Sequence, residues 1–202
     1  MISLEKILVR RLGRLDYPAA LEAMRRFTSS RGEATPDELW LLEHAPAYTL
    51  GQAASHPGVP NGIPMIKSDR GGDITYHGPG QVVLYALVDL ERRAVKVKPF
   101  VALLEQAVID LLDGRGERRP GAPGVYVNGA KIAALGIRVR QGRAYHGLAL
   151  NVDMDLAPFQ AIDPCGYPGL AVTQMRDLGM PHDTGAVADR LARHFIERLE
   201  HA

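Results

Sequence analysis

One cysteine, Cys165, is the whole thiol content of this 202-residue chain. No internal disulfide can therefore staple the fold, which must rest on its apolar core. Net charge is also nearly missing: 24 basic residues meet 23 acidic ones, and this excludes a nucleic-acid binder that works by bulk electrostatics. The apolar stretches are broken by charges or prolines well short of membrane-spanning length, so no transmembrane helix is expected. A charged start followed by an apolar run is absent as well, and the expected location is the cytoplasm. The chain has no repeats and no shift in composition that would mark a boundary, so a single domain over residues 1–202 is expected. Neither a Gly-Lys-Ser/Thr phosphate loop nor a G-x-G-x-x-G dinucleotide fingerprint occurs.

What is present suffices for a full core, with 46% hydrophobic and 23% charged residues. Helical periodicity predicts a helix over Tyr17 to Ser30 behind Asp16, with Pro18 in its first turn. A second is predicted over Pro99 to Asp113, its apolar face stopped by Gly114. A third runs from about Gly185 to the end, capped by Thr184, with Val187, Leu191, Phe195 and Leu199 four apart. Strands are expected at Ile7 to Arg11, Glu38 to Glu43, Ala47 to Leu50 and Val82 to Leu90. Gly124 to Val127, Ala130 to Arg140 and Arg143 to Val152 read as three antiparallel strands joined by Asn128-Gly129 and Gln141-Gly142 turns. Helices and strands come in blocks, so the class is α+β with a mixed or mainly antiparallel sheet packed with helices. Ser55 to Pro64 and Gly114 to Pro123 read as surface connections.

Chemistry concentrates at a few places. Cys165 lies in Asp163-Pro164-Cys165-Gly166-Tyr167, where the proline fixes its own φ and the glycine frees the next residue. The thiol is thus offered at a bend, although a free cysteine is ordinarily a small buried hydrophobe. Lys131 would share a strand face with Ala133, Leu135, Ile137 and Val139. Such a lysine either snorkels to water or stands at a pocket mouth, where desolvation makes the amine a proton carrier near neutrality and its positive form stabilises a thiolate. The stretch Arg70-Gly71-Gly72-Asp73-Ile74-Thr75-Tyr76-His77-Gly78-Pro79-Gly80-Gln81 lets backbone approach a ligand closely, or simply makes turns beside a strand. His146-Gly147-Leu148-Ala149-Leu150-Asn151 sets small residues beside larger ones on a strand, leaving room for a ligand or for another backbone. His44, at a strand end, reads as a hydrogen-bonded structural histidine.

In this order the clusters resemble the octanoyltransferases of lipoate biosynthesis. The resemblance rests on Glu43-His44-x-Pro46-x-Tyr48-Thr49-x-Gly51, Arg70-Gly71-Gly72-x-x-Thr75-x-His77-Gly78-Pro79-Gly80-Gln81, Gly124-Val125-Tyr126, Lys131-Ile132-Ala133-x-Leu135-Gly136, His146-Gly147-x-Ala149-Leu150-Asn151 and Pro164-Cys165-Gly166. It spans about residues 43 to 175. One departure is Asp163, where many relatives carry asparagine; its negative charge works against a thiolate next door. The resemblance implies a fold like the catalytic domain of biotin and lipoate protein ligases, and no cofactor or metal. It implies transfer of an octanoyl group from octanoyl-acyl carrier protein to a lysine ε-amine on lipoyl domains, those of 2-oxoacid dehydrogenase E2 subunits and the glycine-cleavage H protein, by a monomeric enzyme.

By the same resemblance, Cys165 and Lys131 are catalytic. Arg70, Gly71, Gly72, Asp73, Ile74, Thr75, Tyr76, His77, Ala134, Leu135, Gly136, Gly147, Leu148 and Ala149 contact the substrate. Backbone N–H groups at the Cys165-Gly166 bend, or near Leu135-Gly136, are candidates for the oxyanion. Short basic clusters, namely Arg25-Arg26, Arg92-Arg93, Lys96, Lys98, Arg138, Arg140 and Arg143, offer either docking points for acidic partners or plain solvated faces. Two rival readings stand: an ATP-dependent lipoate or biotin protein ligase, and a non-catalytic protein that binds acyl carrier or lipoyl domains. Ligases need no cysteine nucleophile, and the Gly-Pro-Gly-Gln ending favours the transferase.

Overall fold

The computed structural model describes residues 7–54, 61–162 and 169–202. Its frame is a six-stranded sheet in the order β1-β2-β6-β9-β8-β7. These strands are β1 (Leu8–Leu15), β2 (Glu38–His44), β6 (Gln81–Asp89), β7 (Gly124–Val127), β8 (Ala130–Arg140) and β9 (Arg143–Asn151). A smaller sheet, ordered β4-β3-β5, is formed by β3 (Ala47–Leu50), β4 (Met65–Lys67) and β5 (Ile74–His77). β1 and β2 pair in parallel, as do β3 and β4; the other pairings are antiparallel, so both sheets are mixed. Helix α1 (Tyr17–Ser30) makes the crossover that the parallel β1–β2 pair requires. Helices α2 (Val97–Leu111) and α3 (Thr184–Glu200) complete the fold.

The central strand β6 is buried along nearly its whole length, and its period of two divides the interior. Val82, Leu84, Ala86 and Val88 join Phe100, Leu104, Leu191 and Phe195 in the larger core beneath α2 and α3. Val83, Tyr85 and Leu87 face the other way and pack with Tyr17, Leu21 and Met24 of α1. A strand buried on both faces cannot show polar alternation, which is why Val82 to Leu90 reads as a continuous apolar run. Phe100 and Phe195 meet edge to face at 5.8 Å and join α2 to α3.

Both two-residue turns carry positive φ at each central position: Asn128 (48°) with Gly129 (85°), and Gln141 (49°) with Gly142 (72°). That is the hairpin geometry whose twist matches the flanking strands. The α3 cap is Asp183 rather than Thr184, because the Asp183 carboxylate accepts from Ala186 N–H at 2.7 Å. Asp16 makes no side-chain cap bond to α1. At the end of α2 the N–H of Gly114 reaches Ile109 O and that of Asp113 reaches Asp110 O, a Schellman closure with Asp113 in the left-handed region.

Four of the basic residues read as docking candidates are engaged inside the molecule. The buried Asp37 carboxylate accepts from Arg31 Nη2 (2.7 Å), Arg92 Nη2 (2.8 Å), Arg93 Nε (2.5 Å) and the backbone N–H of Asp89 (2.8 Å). Burial raises its pKa, but these donors outweigh burial and hold it below the usual carboxylate value. Arg25 binds Asp69 and Arg143 faces Asp89. Charge that runs together in sequence is here matched to carboxylates brought in by folding.

Candidate active site

The β7–β8 pairing ends at Gly124 and Ala134, so the edge of β8 beyond Ala134 is open to other backbone. The glycine loop takes that place, with Gly71 N–H donating to Ile137 O at 3.0 Å. Arg70 locks the loop from inside: its Nη2 donates to Thr49 O (2.6 Å) and Asp73 O (2.7 Å), and its Nη1 donates to Gly71 O (2.9 Å). Between this loop, β5 and the main sheet lies a narrow cavity with a mainly apolar wall. Arg70, Gly72, Asp73, Ile74, Thr75 and His77 line it from the loop and β5. Ala134, Leu135 and Gly136 line it from β8, and Gly147, Leu148 and Ala149 from β9.

Gly147 shows why backbone approach matters here. A Cβ on it would stand 2.1 Å from Leu84 O, so only glycine lets β9 run this close to β6. Its neighbour His146 is held at φ 62° in mid-strand, a conformation that costs a non-glycine residue about 1–3 kcal/mol. Two contacts hold it there: its Nε2–H donates to Asp69 Oδ1 at 2.8 Å, and its ring stacks on Tyr145 at 5.0 Å. Tyr145 Oη donates to the other oxygen of the same carboxylate at 2.7 Å, and Arg25 Nε reaches that oxygen at 3.0 Å. Burial opposes the charge on Asp69, yet its donors dominate and its pKa lies well below normal.

Two imidazoles, His77 and His146, line the cavity and His44 packs edge-on against His77; burial pushes the pKa of each down. His44 is lowered to about 4, His77 well below its usual value, and His146 also downward despite Asp69. All three are neutral at pH 7, and their partners assign the protons. His44 Nδ1–H donates to Leu15 O (2.8 Å), which leaves Nε2 to accept from Tyr85 Oη (2.7 Å). His77 Nδ1–H donates to Gln81 Oε1 (2.8 Å), and its Nε2 accepts from Thr49 Oγ1 (3.3 Å). The neutral rings of His77 and His146 give the cavity a wall suited to an uncharged, apolar guest.

Beside the cavity, and sharing Thr75 and Ala134 with it, is a smaller recess lined by Lys131, Gln81, Asn151, Phe159 and Val172. Lys131 is 3% exposed. Its Nζ donates to Pro123 O at 3.2 Å and lies 5.2 Å from the centre of the Tyr126 ring. The face predicted for it requires correction. Tyr126 pairs with Lys131 while Val125 pairs with Ala133, so Ile132 is an extra residue in β8. This bulge shifts the alternation. Ile132 and Ala133 both enter the larger core, while Lys131 joins Ala134 on the cavity side. Gly124 makes room for it: at φ 145° a Cβ there would lie 2.9 Å from Lys131 Cε and 3.2 Å from Nζ.

A chain of amides ties the recess to the histidines. Gln81 Nε2 donates to Asn151 Oδ1 (3.0 Å), and Asn151 Nδ2 donates to Thr173 O (3.0 Å). Thr173 N–H in turn donates to Lys131 O (3.0 Å), and Lys131 N–H to Ala171 O (2.8 Å).

The structure therefore gathers twelve of the fourteen expected contact residues around one cavity. Tyr76 alternates away from Thr75 and His77 and packs with Tyr48 and Phe159, and Gly71 lines an outer groove beyond the loop. Cys165 lies outside the described residues. Sequence reasoning did not single out Tyr17, Val83 and Tyr85, which also line the cavity, or the role of Asp69. His146 was legible only as the start of its cluster. Among the described residues no helix is long and apolar enough to cross a membrane, and no group of His, Cys, Asp and Glu is arranged to hold a metal ion.

Residues 16–196 match the family described as the lipoyl protein ligase A/B catalytic domain. An octanoyltransferase of Azoarcus sp. (strain BH72) is 60% identical over 199 residues, covering 96% of this chain and 88% of its own. One from Thiobacillus denitrificans is 62% identical over 179 residues, covering 86% and 82%. Among solved structures, the bipartite lipoate protein ligase of Thermoplasma acidophilum superposes with a TM-score of 0.72 at 18% identity, over 96% of this chain and 85% of that one. Biotin protein ligase from Aquifex aeolicus superposes with a TM-score of 0.60 at 12% identity, over 96% and 70%. At these identities the structural likeness shows the fold, which is that of the ligase catalytic domains.

Proposed function

The chain belongs to the lipoyl protein ligase A/B catalytic-domain family and, within it, to the octanoyltransferases, which are acyltransferases; from this premise we propose that it moves an octanoyl group from an acyl-carrier-protein thioester to the ε-amine of a lipoyl-domain lysine, through a thioester on Cys165. The whole chain then acts as one catalytic domain in the cytoplasm, as a monomer and without a cofactor. The observation that carries the mechanism is the recess beside the cavity. Lys131 lines it, and so do Phe159 and Val172, which flank the stretch containing Cys165 on either side. The apolar cavity supports the choice of an acyl chain as guest, with about 0.8 kcal/mol gained for each methylene buried.

In this reading the Lys131 ammonium favours the Cys165 thiolate, which attacks the carrier thioester. As the tetrahedral intermediate collapses, the C–S bond to phosphopantetheine breaks, and that sulfur takes a proton from Lys131. The neutral acceptor amine then attacks the Cys165 thioester and gives its proton to the now neutral Lys131. Breaking the C–S bond to Cys165 leaves an amide and restores the thiolate–ammonium pair. The contact residues from Arg70 to His77, with those of β8 and β9, hold the chain while both exchanges occur at the same carbonyl.

The test is a reconstituted reaction of octanoyl-carrier protein with a lipoyl domain and no nucleotide. The expected product is the N-octanoyl lysine at an unchanged rate when ATP is absent. Product formed only from free octanoate plus ATP would replace this reading with the ligase. No product under either condition, with retained binding of carrier or lipoyl domain, would replace it with the non-catalytic binder.

A further inference from the structure

We infer that Tyr17, Tyr85 and His146 form a polar stop at the far end of the acyl cavity and set the length of chain the enzyme accepts; this rests on the acyl-transfer reading. Strand register gives the distance. The near end is fixed by Ala134, which borders the Lys131 recess and pairs with Ala149. Three rungs on, Ile137 pairs with His146, roughly 10 Å away at about 3.4 Å per residue. On the other flank, Gln81 pairs with Asn151 beside Lys131, and Tyr85 pairs with Gly147 further along. An extended chain advances roughly 1.2 Å per bond, judging from backbone dimensions. An octanoyl group, with seven carbon–carbon bonds, thus spans about 8 Å, and a dodecanoyl group about 13 Å. The first fits between the ends and the second does not.

The stop is firm because each of its groups is tied down. Tyr17 Oη meets Ser68 Oγ at 2.7 Å, and the next residue, Asp69, accepts from His146. Tyr85 Oη donates to His44, which is itself held by Leu15 O. A chain that pushed past would have to break these buried bonds and set methylenes against polar atoms, among them His146 Nδ1, which has no hydrogen-bond partner among the described residues. The apolar gain of further carbons is cancelled at that point.

The experiment compares hexanoyl, octanoyl, decanoyl and dodecanoyl carrier thioesters, with kcat/KM read as ratios within each protein. The wild type is expected to favour octanoyl over dodecanoyl by at least roughly 100-fold. His146→Gly opens the end without strain, since glycine adopts φ 62° freely, and Tyr17→Leu opens it from the helix side. Each should raise the decanoyl-to-octanoyl ratio roughly tenfold. A wild type that transfers dodecanoyl as readily as octanoyl overturns the stop, whatever the variants do, and so do folded variants with unchanged ratios. Calorimetric binding of free octanoate and dodecanoate reads the cavity apart from the chemistry. Length discrimination in binding without transfer would support the stop and overturn the transferase reading. Transfer without discrimination would do the reverse.

Discussion

Replacing Gly124 by alanine should damage the enzyme in two separable ways. The first is strain: φ 145° is a conformation L-residues rarely adopt, and the new Cβ would lie 2.8 Å from Ala133 O. Backbone of this kind costs about 1–3 kcal/mol in a non-glycine residue. The second is displacement, because the same Cβ would lie 2.9 Å from Lys131 Cε, so the stem must swing and carry Nζ off its place near Pro123 O. A catalytic group misplaced by about 1 Å can lose roughly 100-fold in rate. Gly179→Ala is the control: it has φ 66°, and its Cβ would meet nothing within 4 Å. It should lose about 1 kcal/mol of stability and none of the rate. Urea unfolding and single-turnover transfer measure the two effects. A folded Gly124→Ala enzyme that transfers as fast as Gly179→Ala would refute the claim that Gly124 exists to seat Lys131.

Asp37→Asn removes the charge that three arginines converge on and should cost about 3–5 kcal/mol. In a chain of this size that lowers Tm by roughly 10 °C, measurable by calorimetry, and a Tm within 2 °C or so of wild type would count against a structural role for the cluster. The histidines predict a pH dependence. Their folded pKa values are depressed, so the stability they contribute is complete above about pH 6.5 and is lost as pH falls through the folded values. For His44, lowered to about 4, this amounts to roughly 3 kcal/mol. A His44→Gln enzyme should therefore lose less stability between pH 7 and pH 4 than wild type does, and equal losses would refute the assignment. Lys131→Ala should slow both acylation and deacylation by roughly 100-fold or more, seen separately in rapid-quench experiments; a slowing confined to one step would divide the proton transfers between two groups.

Helix α1 was legible to its end residues because Pro18 and an apolar stripe with period 3.6 mark it. The β7–β8–β9 meander was legible because Asn128-Gly129 and Gln141-Gly142 carry the turn chemistry themselves. Strands β4 and β5 were not. They are three and four residues long and lie among glycines and prolines, where local signals favour turns and only pairing with β3 makes them strands. β1 continues past Arg11 to Leu15 through an irregularity before Gly13, which period-two reasoning reads as an end. The face of Lys131 failed for the same reason, since the bulge at Ile132 exists only in the pairing with β7. The residues that line the cavity from the glycine loop, β8 and β9 were legible through resemblance, because they sit in contiguous motifs. Tyr17, Tyr85 and Asp69 come from scattered positions; only folding brings the two tyrosines into the cavity wall and sets Asp69 against His146.

The most direct measurement is the intact mass of the protein after incubation with octanoyl-carrier protein and no acceptor. One octanoyl adduct is expected, released by hydroxylamine, mapped to Cys165, absent in Cys165→Ser, and discharged when a lipoyl domain is added. An active enzyme that never carries the adduct, or a Cys165→Ser variant that transfers at the wild-type rate, would contradict it.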